Sequence, residues 1–343
     1  MRRGRGRGFE YRDPAGGRID DPEVVERIHE LAIPPAWREV WICMDPLGHL
    51  QATGVDAAGR KQYLYHHHWR AHRDRRKYDS MLAFGESLPR LRRRVARELA
   101  RERNPARGRL ELEDLTRERV LACSVRLLDL GFFRIGSEDY AERNESYGLT
   151  TMLREHVTLS EHELIFDFPA KSGQRRVQEI ADEDALAIVR MLKRRRGGSQ
   201  LLAYRTADGW TELHADDVNA YIKQYTGGDF TAKDFRTWNA TVLAAVALAV
   251  ERRPPNRAAC ERAISQAVKT VAAYLGNTPV VCRASYIDPR VIDRYLAGAT
   301  IAKELKDLPA HGPDLANARI RAHVEAAVLE LLADASPAGR KAA

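Results

Sequence analysis

Basic side chains dominate the chemistry open to this chain. Lys and Arg number 56 against 48 Asp and Glu, a net charge of +8 over 343 residues. They collect in five runs: Arg2 to Arg7; Arg70, Arg73, Arg75, Arg76 and Lys77; Arg90 to Arg103; Arg175-Arg176; and Lys193 to Arg196. One such run is ordinarily a solvated helix face. Five of them spread along the chain point to a polyanion, because cations that neutralise phosphates release condensed counterions and so supply nucleic-acid affinity. Charge alone does not separate an enzyme from a passive binder. Other chemistries are set aside on residue type and spacing. His66-His67-His68 with His72 suggests a metal, but adjacent residues on a strand face opposite sides and no Cys or carboxylate cluster completes a set, so no metal is expected. Gly197-Gly198 and Gly227-Gly228 lack the Gly-Lys-Ser/Thr of a phosphate-binding loop, and the acidic residues form no paired-metal pattern.

Positioning such residues requires a sizeable core, and 343 residues suffice for two domains. Up to about residue 85 the chain reads as a small β-rich unit. Val40-Trp41-Ile42, His49 to Thr53 and Gln62 to Tyr65 are short apolar stretches parted by turn signals, with a helix at Pro22 to Leu31 capped by Asp21. Gly4-Arg5-Gly6-Arg7-Gly8 reads as a flexible basic arm. From Glu86 the period becomes helical: Leu88, Leu91, Val95, Leu99. Further helices are expected at 118–130, 183–196, 217–225, 233–250, 257–275, 289–296 and 316–333. Cys260, Ile264, Val268, Val271 and Leu275 form a buried stripe on one of them. A hairpin, Leu164 to Phe168 and Gln174 to Ile180, turns at Pro169-Ala170-Lys171-Ser172-Gly173. The fold class expected is α+β, with a β-rich domain at 1–85 and a mainly helical domain at 86–343 carrying a small hairpin sheet. No internal repeat is found, and the tail from Ser336 should fray. Scattered Cys43, Cys123, Cys260 and Cys282 suit a reducing cytoplasm. The longest mostly apolar run, Ala240 to Val250, is too short to span a membrane, and no secretory signal begins the chain.

Four segments carry a family resemblance: Phe132-Phe133-Arg134-Ile135-Gly136, Phe168 to Gly173, Lys233-Asp234-Phe235-Arg236-Thr237-Trp238, and Asn277-Thr278-Pro279 with Ser285-Tyr286. Tyr140, Asn144 to Thr150 and Gly59 to Tyr65 add context. In this order they resemble the poxvirus-like bacterial branch of the type IB DNA topoisomerases, from about Gly8 to Leu296. The resemblance implies a mainly helical catalytic domain of the kind shared with tyrosine recombinases. It also implies a monomer that clamps double-stranded DNA, without metal, ATP or other cofactor, and a cytoplasmic, nucleoid-associated location.

The resemblance also implies roles. Tyr286 attacks the scissile phosphate, leaving a 3′-phosphotyrosine. Phenol is a weak nucleophile but a competent leaving group, so the link can be reversed. Arg134 and Arg236 stabilise charge on the non-bridging oxygens, a task suited to a planar fork. Lys171 protonates the departing 5′-oxygen. Asn277 stands where most relatives have a histidine; it can donate a hydrogen bond but cannot transfer a proton. Tyr63, Tyr65, Tyr140, Ser146 and Lys233 match DNA-contacting positions, and Ser137 replaces a poxvirus lysine. Two alternatives remain at this point. A tyrosine recombinase would usually show His-x-x-Arg where this chain has Lys233-Asp234-Phe235-Arg236, and an inactive DNA-binding protein would not need the complete set.

Overall fold

The computed structural model describes residues 1–5, 8–100, 111–250, 254–306 and 313–333. Arg7, Arg101, Arg103 and the tail from Ser336 lie outside the described residues. The chain divides into two compact units, Met1–Asp79 and Ser80–Ala343.

In the first unit, β1 (Arg2–Arg5) pairs antiparallel with β2 (Gly8–Tyr11), Arg2 opposite Tyr11. Gly4, Arg5 and Gly8, expected in a flexible arm, are therefore in paired strands, whereas Gly6 and Arg7 lie outside the described residues. The Arg2 guanidinium holds β1, donating to the carbonyls of Ile33 (3.2 Å), Pro34 (3.1 Å) and Trp37 (2.5 Å) and lying 4.1 Å from the Phe9 ring centroid. Helix α1 (Pro22–Glu30) starts where Asp21 accepts from the Glu23 amide at 3.0 Å. A three-stranded sheet follows in the order β3 (Arg38–Ile42), β4 (Leu50–Val55), β5 (Lys61–Tyr65). The division between the units falls within the long helix α2 (His67–Ala100).

The second unit is built on helices. After α3 (Arg117–Gly131) and the short α4 (Glu138–Asn144) comes a sheet of β6 (Val157–Leu159), β7 (Leu164–Ala170) and β8 (Gln174–Ile180). The hairpin is thus one strand wider than the sequence indicates. Then follow α5 (Glu183–Arg194), a second hairpin of β9 (Ala203–Thr206) and β10 (Gly209–Glu212), α6 (Ala215–Thr226), α7 (Ala232–Val250), α8 (Arg257–Leu275), α9 (Pro279–Ser285), α10 (Pro289–Leu296) and α11 (Ala318–Ala333). Helix α7 is the axis of this unit. Fourteen of its nineteen residues are buried, Trp238 completely, and it packs on α3, α8, α10 and α11. The stripe Cys260, Ile264, Val268, Val271, Leu275 of α8 is buried as its spacing requires. The architecture is the expected α+β arrangement. No helix among the described residues is long and apolar enough to cross a membrane.

Candidate active site

Arg134 sits on the segment that leaves α3. The helix stops at Phe132, whose left-handed backbone (φ 55°) turns the chain. A second segment then braces the exit: the amides of Leu149 and Thr150 each donate at 2.8 Å, to the carbonyls of Arg134 and Ile135. Gly148 makes this approach possible, since a Cβ there would lie 2.4 Å from Gly136 and 2.8 Å from the Arg134 carbonyl. Arg236 comes from the first turns of α7 and is 3% exposed. It donates to the Phe132 carbonyl through Nη1 and to the Leu275 carbonyl through Nη2 at 2.9 Å. Arg134 donates to the Gly276 carbonyl at 3.3 Å and to Asn277 Oδ1 at 2.5 Å. The ends of α3, α7 and α8 thus converge through two guanidinium groups.

Tyr286 follows α9, its amide donating to the Cys282 carbonyl at 2.9 Å. The Arg236 guanidinium hydrogen-bonds the phenol, and its carbon lies 5.2 Å from the centroid of the Tyr286 ring. Burial alone would raise the Tyr286 phenol, but the charge and hydrogen bond of Arg236, with the charges of Arg134 and Lys233, bring it below its ordinary value. Burial and the charge of Arg134 push Arg236 down to about 10, against the attraction of Tyr286. Thr241, fully buried one turn beyond Arg236, stitches the tyrosine to α7. Its hydroxyl lies 3.3 Å from the Tyr286 carbonyl and accepts from the Asp288 amide at 3.1 Å.

The structure therefore brings Tyr286, Arg134, Arg236 and Asn277 together, with exposed Lys233 close enough for its charge to act on the phenol. Lys171 is exposed in the 3-10 turn at the hairpin tip. The hairpin itself is held near its tip, where the Tyr147 amide donates to the Pro169 carbonyl at 2.9 Å. Because Arg134 can only donate, it fixes the Asn277 amide with Oδ1 towards itself. Nδ2 then points the other way, buried and with no protein partner among the described residues.

In the first unit, Tyr63 and Tyr65 share one face of β5, their rings stacked with centroids 6.3 Å apart; Lys61 lies over one ring and Arg73 over the other. Tyr140 lies on α4. Ser146 is an interior residue, 5% exposed. The strand geometry expected for His66-His67-His68 is not found. β5 ends at Tyr65 and α2 begins at His67, so the chain turns between them and the three rings stand 4.0–5.1 Å apart, with ligand nitrogens within 4.8 Å of one another. The opposite-face ground for setting a metal aside therefore does not hold.

Sequence reasoning missed two residues. Thr241 carries no signal beyond its place on the apolar helix. Arg176 on β8 donates to the Tyr274 carbonyl and to Gln178 Oε1 at 2.9 Å, and burial with the charge of Arg134 lowers it to about 10. As one half of the Arg175-Arg176 pair it registered only as part of a basic run.

Residues 66–308 match the model of the eukaryotic DNA topoisomerase I catalytic core, and residues 8–56 match that of the bacterial DNA topoisomerase IB N-terminal domain. The chain is 31% identical over 278 residues to DNA topoisomerase 1B of Acanthamoeba polyphaga mimivirus, covering 79% of this chain and 80% of that protein. It is 28% identical over 131 residues to DNA topoisomerase 1 of Candidozyma auris, 38% of this chain and 17% of that protein. To DNA topoisomerase 1 of Schizosaccharomyces pombe it is 27% identical over 165 residues, 46% of this chain and 19% of that one. With the converging arginines and tyrosine, these matches define a class: the chain belongs to the type IB DNA topoisomerases, the match to their catalytic core running over residues 66–308.

Proposed function

We propose that this chain is a bacterial-branch type IB topoisomerase that relaxes positive and negative supercoils by nicking one strand, letting the duplex turn, and resealing it. The observation that carries this reading is Tyr286 lying against the buried guanidinium of Arg236, with Arg134 and Asn277 in the same hydrogen-bonded group. In the proposed cleavage the Tyr286 oxygen, as phenolate, bonds to phosphorus at the 3′ end while the bond to the 5′-oxygen breaks. Lys171 gives that oxygen its proton; in rejoining the 5′-hydroxyl returns the proton and displaces the phenolate. Arg134, Arg236 and the Asn277 Nδ2–H hold the charge that gathers on the non-bridging oxygens. The phosphotyrosine keeps the energy of the broken ester, so neither ATP nor metal enters.

The amino-terminal match supports the bacterial placement, and the paired tyrosines of β5 are proposed to contact the DNA, the protein acting as a monomer. The test is supercoiled plasmid incubated with protein in EDTA without ATP. A ladder of relaxed topoisomers that disappears with Tyr286→Phe supports the reading. Exchange between paired sites would make the protein a recombinase, and binding without any adduct would make it inactive.

A further inference from the structure

Three arginines from three elements meet the end of one helix. Successive backbone carbonyls at the carboxyl terminus of α8 each accept from a different guanidinium: Tyr274 from Arg176 of β8, Leu275 from Arg236 of α7, and Gly276 from Arg134 beyond α3. The last carbonyls of a helix have no amide partner within it and carry the negative end of its dipole, so they are the natural anchor for cations. Carbonyl oxygens orient the guanidinium groups but do not neutralise them. Among the described residues no carboxylate pairs with any of the three, and the Nε atoms of Arg176 and Arg236 are buried without a protein partner. Gly276 makes room for the third arginine. Its φ is +60°, and a Cβ there would lie 2.3 Å from Arg176 Nη1.

We propose that Arg176 is a third phosphate-binding arginine of this site, holding the backbone phosphate next to the scissile one. The proposal rests on the function set out above. The cations that act most on Tyr286 are Arg236, Arg134 and Lys233, whereas Arg176 adjoins Arg134 on the side of the hairpin. Its work is therefore in gripping the strand, not in stabilising the reacting phosphorus.

Binding and chemistry separate the two roles. In a Tyr286→Phe background, Arg176→Gln keeps a donor for the Tyr274 carbonyl but loses the charge. It should weaken duplex binding about tenfold at ~0.1 M salt and make the plot of log affinity against log salt shallower by about one unit. Arg176→Lys should restore the slope. With Tyr286 present and enzyme saturating, single-turnover cleavage by Arg176→Gln should fall less than about threefold, against a loss of roughly a hundredfold for Arg236→Gln. An unchanged salt slope in Arg176→Gln overturns the proposal and leaves Arg176 a packing residue, as does a slope that lysine fails to restore. A large loss of cleavage with unchanged binding overturns it in the other direction. Lack of any covalent adduct with the unmutated protein overturns the proposed function as a whole.

Discussion

Two clusters of arginine lie in the same unit and are solved in opposite ways. In one, Arg92 of α2 donates to both oxygens of Asp129 at 2.9 Å and to Glu325 at 2.5 and 2.8 Å, while Arg321 donates to Asp129 at 2.6 Å. Two guanidinium groups face two carboxylates. Trp238 Nε1 and Asn239 Nδ2 of α7 close the group, on Glu325 Oε1 and the Asp129 carbonyl. Burial would lower Arg92, but the two carboxylates raise it; Arg321, more deeply buried and beside Arg92, is lowered. In the other cluster Arg134, Arg176 and Arg236 meet backbone carbonyls, the side-chain amides of Asn277 and Gln178 and the Tyr286 phenol, and among the described residues no carboxylate. There Arg176 and Arg236 both fall to about 10. The lesson is that buried arginine by itself signals nothing; its counter-ion does. The neutral quartet ties α2, α3, α7 and α11 together, and the charged trio is the group proposed to hold phosphate.

That contrast is broken most sharply by exchanging damage between the clusters. Asp129→Ala leaves buried guanidinium groups without their anion and should cost about 3–5 kcal/mol of stability in urea titrations. Arg236→Ala should instead cut single-turnover cleavage about 10²–10³-fold with a smaller loss of stability. If Asp129→Ala proves harmless to stability, the quartet is not the structural half of the pair.

Asn277 sharpens the comparison further. Asn277→Ala should slow cleavage by roughly tenfold or more, while Asn277→His should be tolerated, one ring nitrogen accepting from Arg134 and the other donating. Asn277→Asp keeps the acceptor but has no donor and faces phosphate with a negative charge, so it should be slower than alanine. Equal loss in Ala and His variants would remove the donor role.

Ionisation gives the next effect. The cleavage rate should rise with pH until Tyr286 is ionised, reaching its plateau below the range of a free phenol near ~10. Lys233→Ala removes one of the charges that lower the tyrosine and should move the limb to higher pH; an unmoved limb would mean that another group titrates. The quartet answers at the opposite end of the scale. Burial would raise Asp129, but the charges of Arg321 and Arg92 hold it below its ordinary value. Its stabilisation is therefore complete above the unfolded value of ~4 and is lost as pH falls through the folded one. The stability gap between the unmutated protein and Asp129→Asn should narrow below pH ~4.

The smallest effect expected is at Thr241. Replacing it by valine leaves the Asp288 amide without its partner and loosens Tyr286. Cleavage at saturating enzyme should fall severalfold with binding unchanged.

Much of the helical scaffold was legible because its driving force is periodic. The stripe of α8 and the boundaries of α10, capped by Asp288 with Pro289 behind it, follow from spacing and capping chemistry. Helix α9 was not: it has seven residues, Cys282 alone is buried, and Val280 and Val281 are exposed, so no stripe announces it. The pairing of β1 with β2 depends on Arg2 reaching carbonyls more than thirty residues away, which no local pattern encodes. The histidine cluster was misjudged because a strand period was carried past the residue where the strand ends. Tyr286, Arg134 and Arg236 were found through segments in a family's order. Arg176 was not, because its partner is a backbone oxygen, and a main-chain atom leaves no letter in the sequence.

One anchoring has a mechanical consequence. In the proposed reaction a severed strand held by Tyr286 would pull on a residue whose amide is tied to Cys282 and whose carbonyl meets Thr241 of α7, less than one turn from the fully enclosed Trp238 ring and next to buried Val242. Torque from a spinning duplex would thus be borne by the most deeply seated helix of the unit. In the proposed reaction the broken end would then stay level with its guanidinium neighbours while the rest of the duplex revolves.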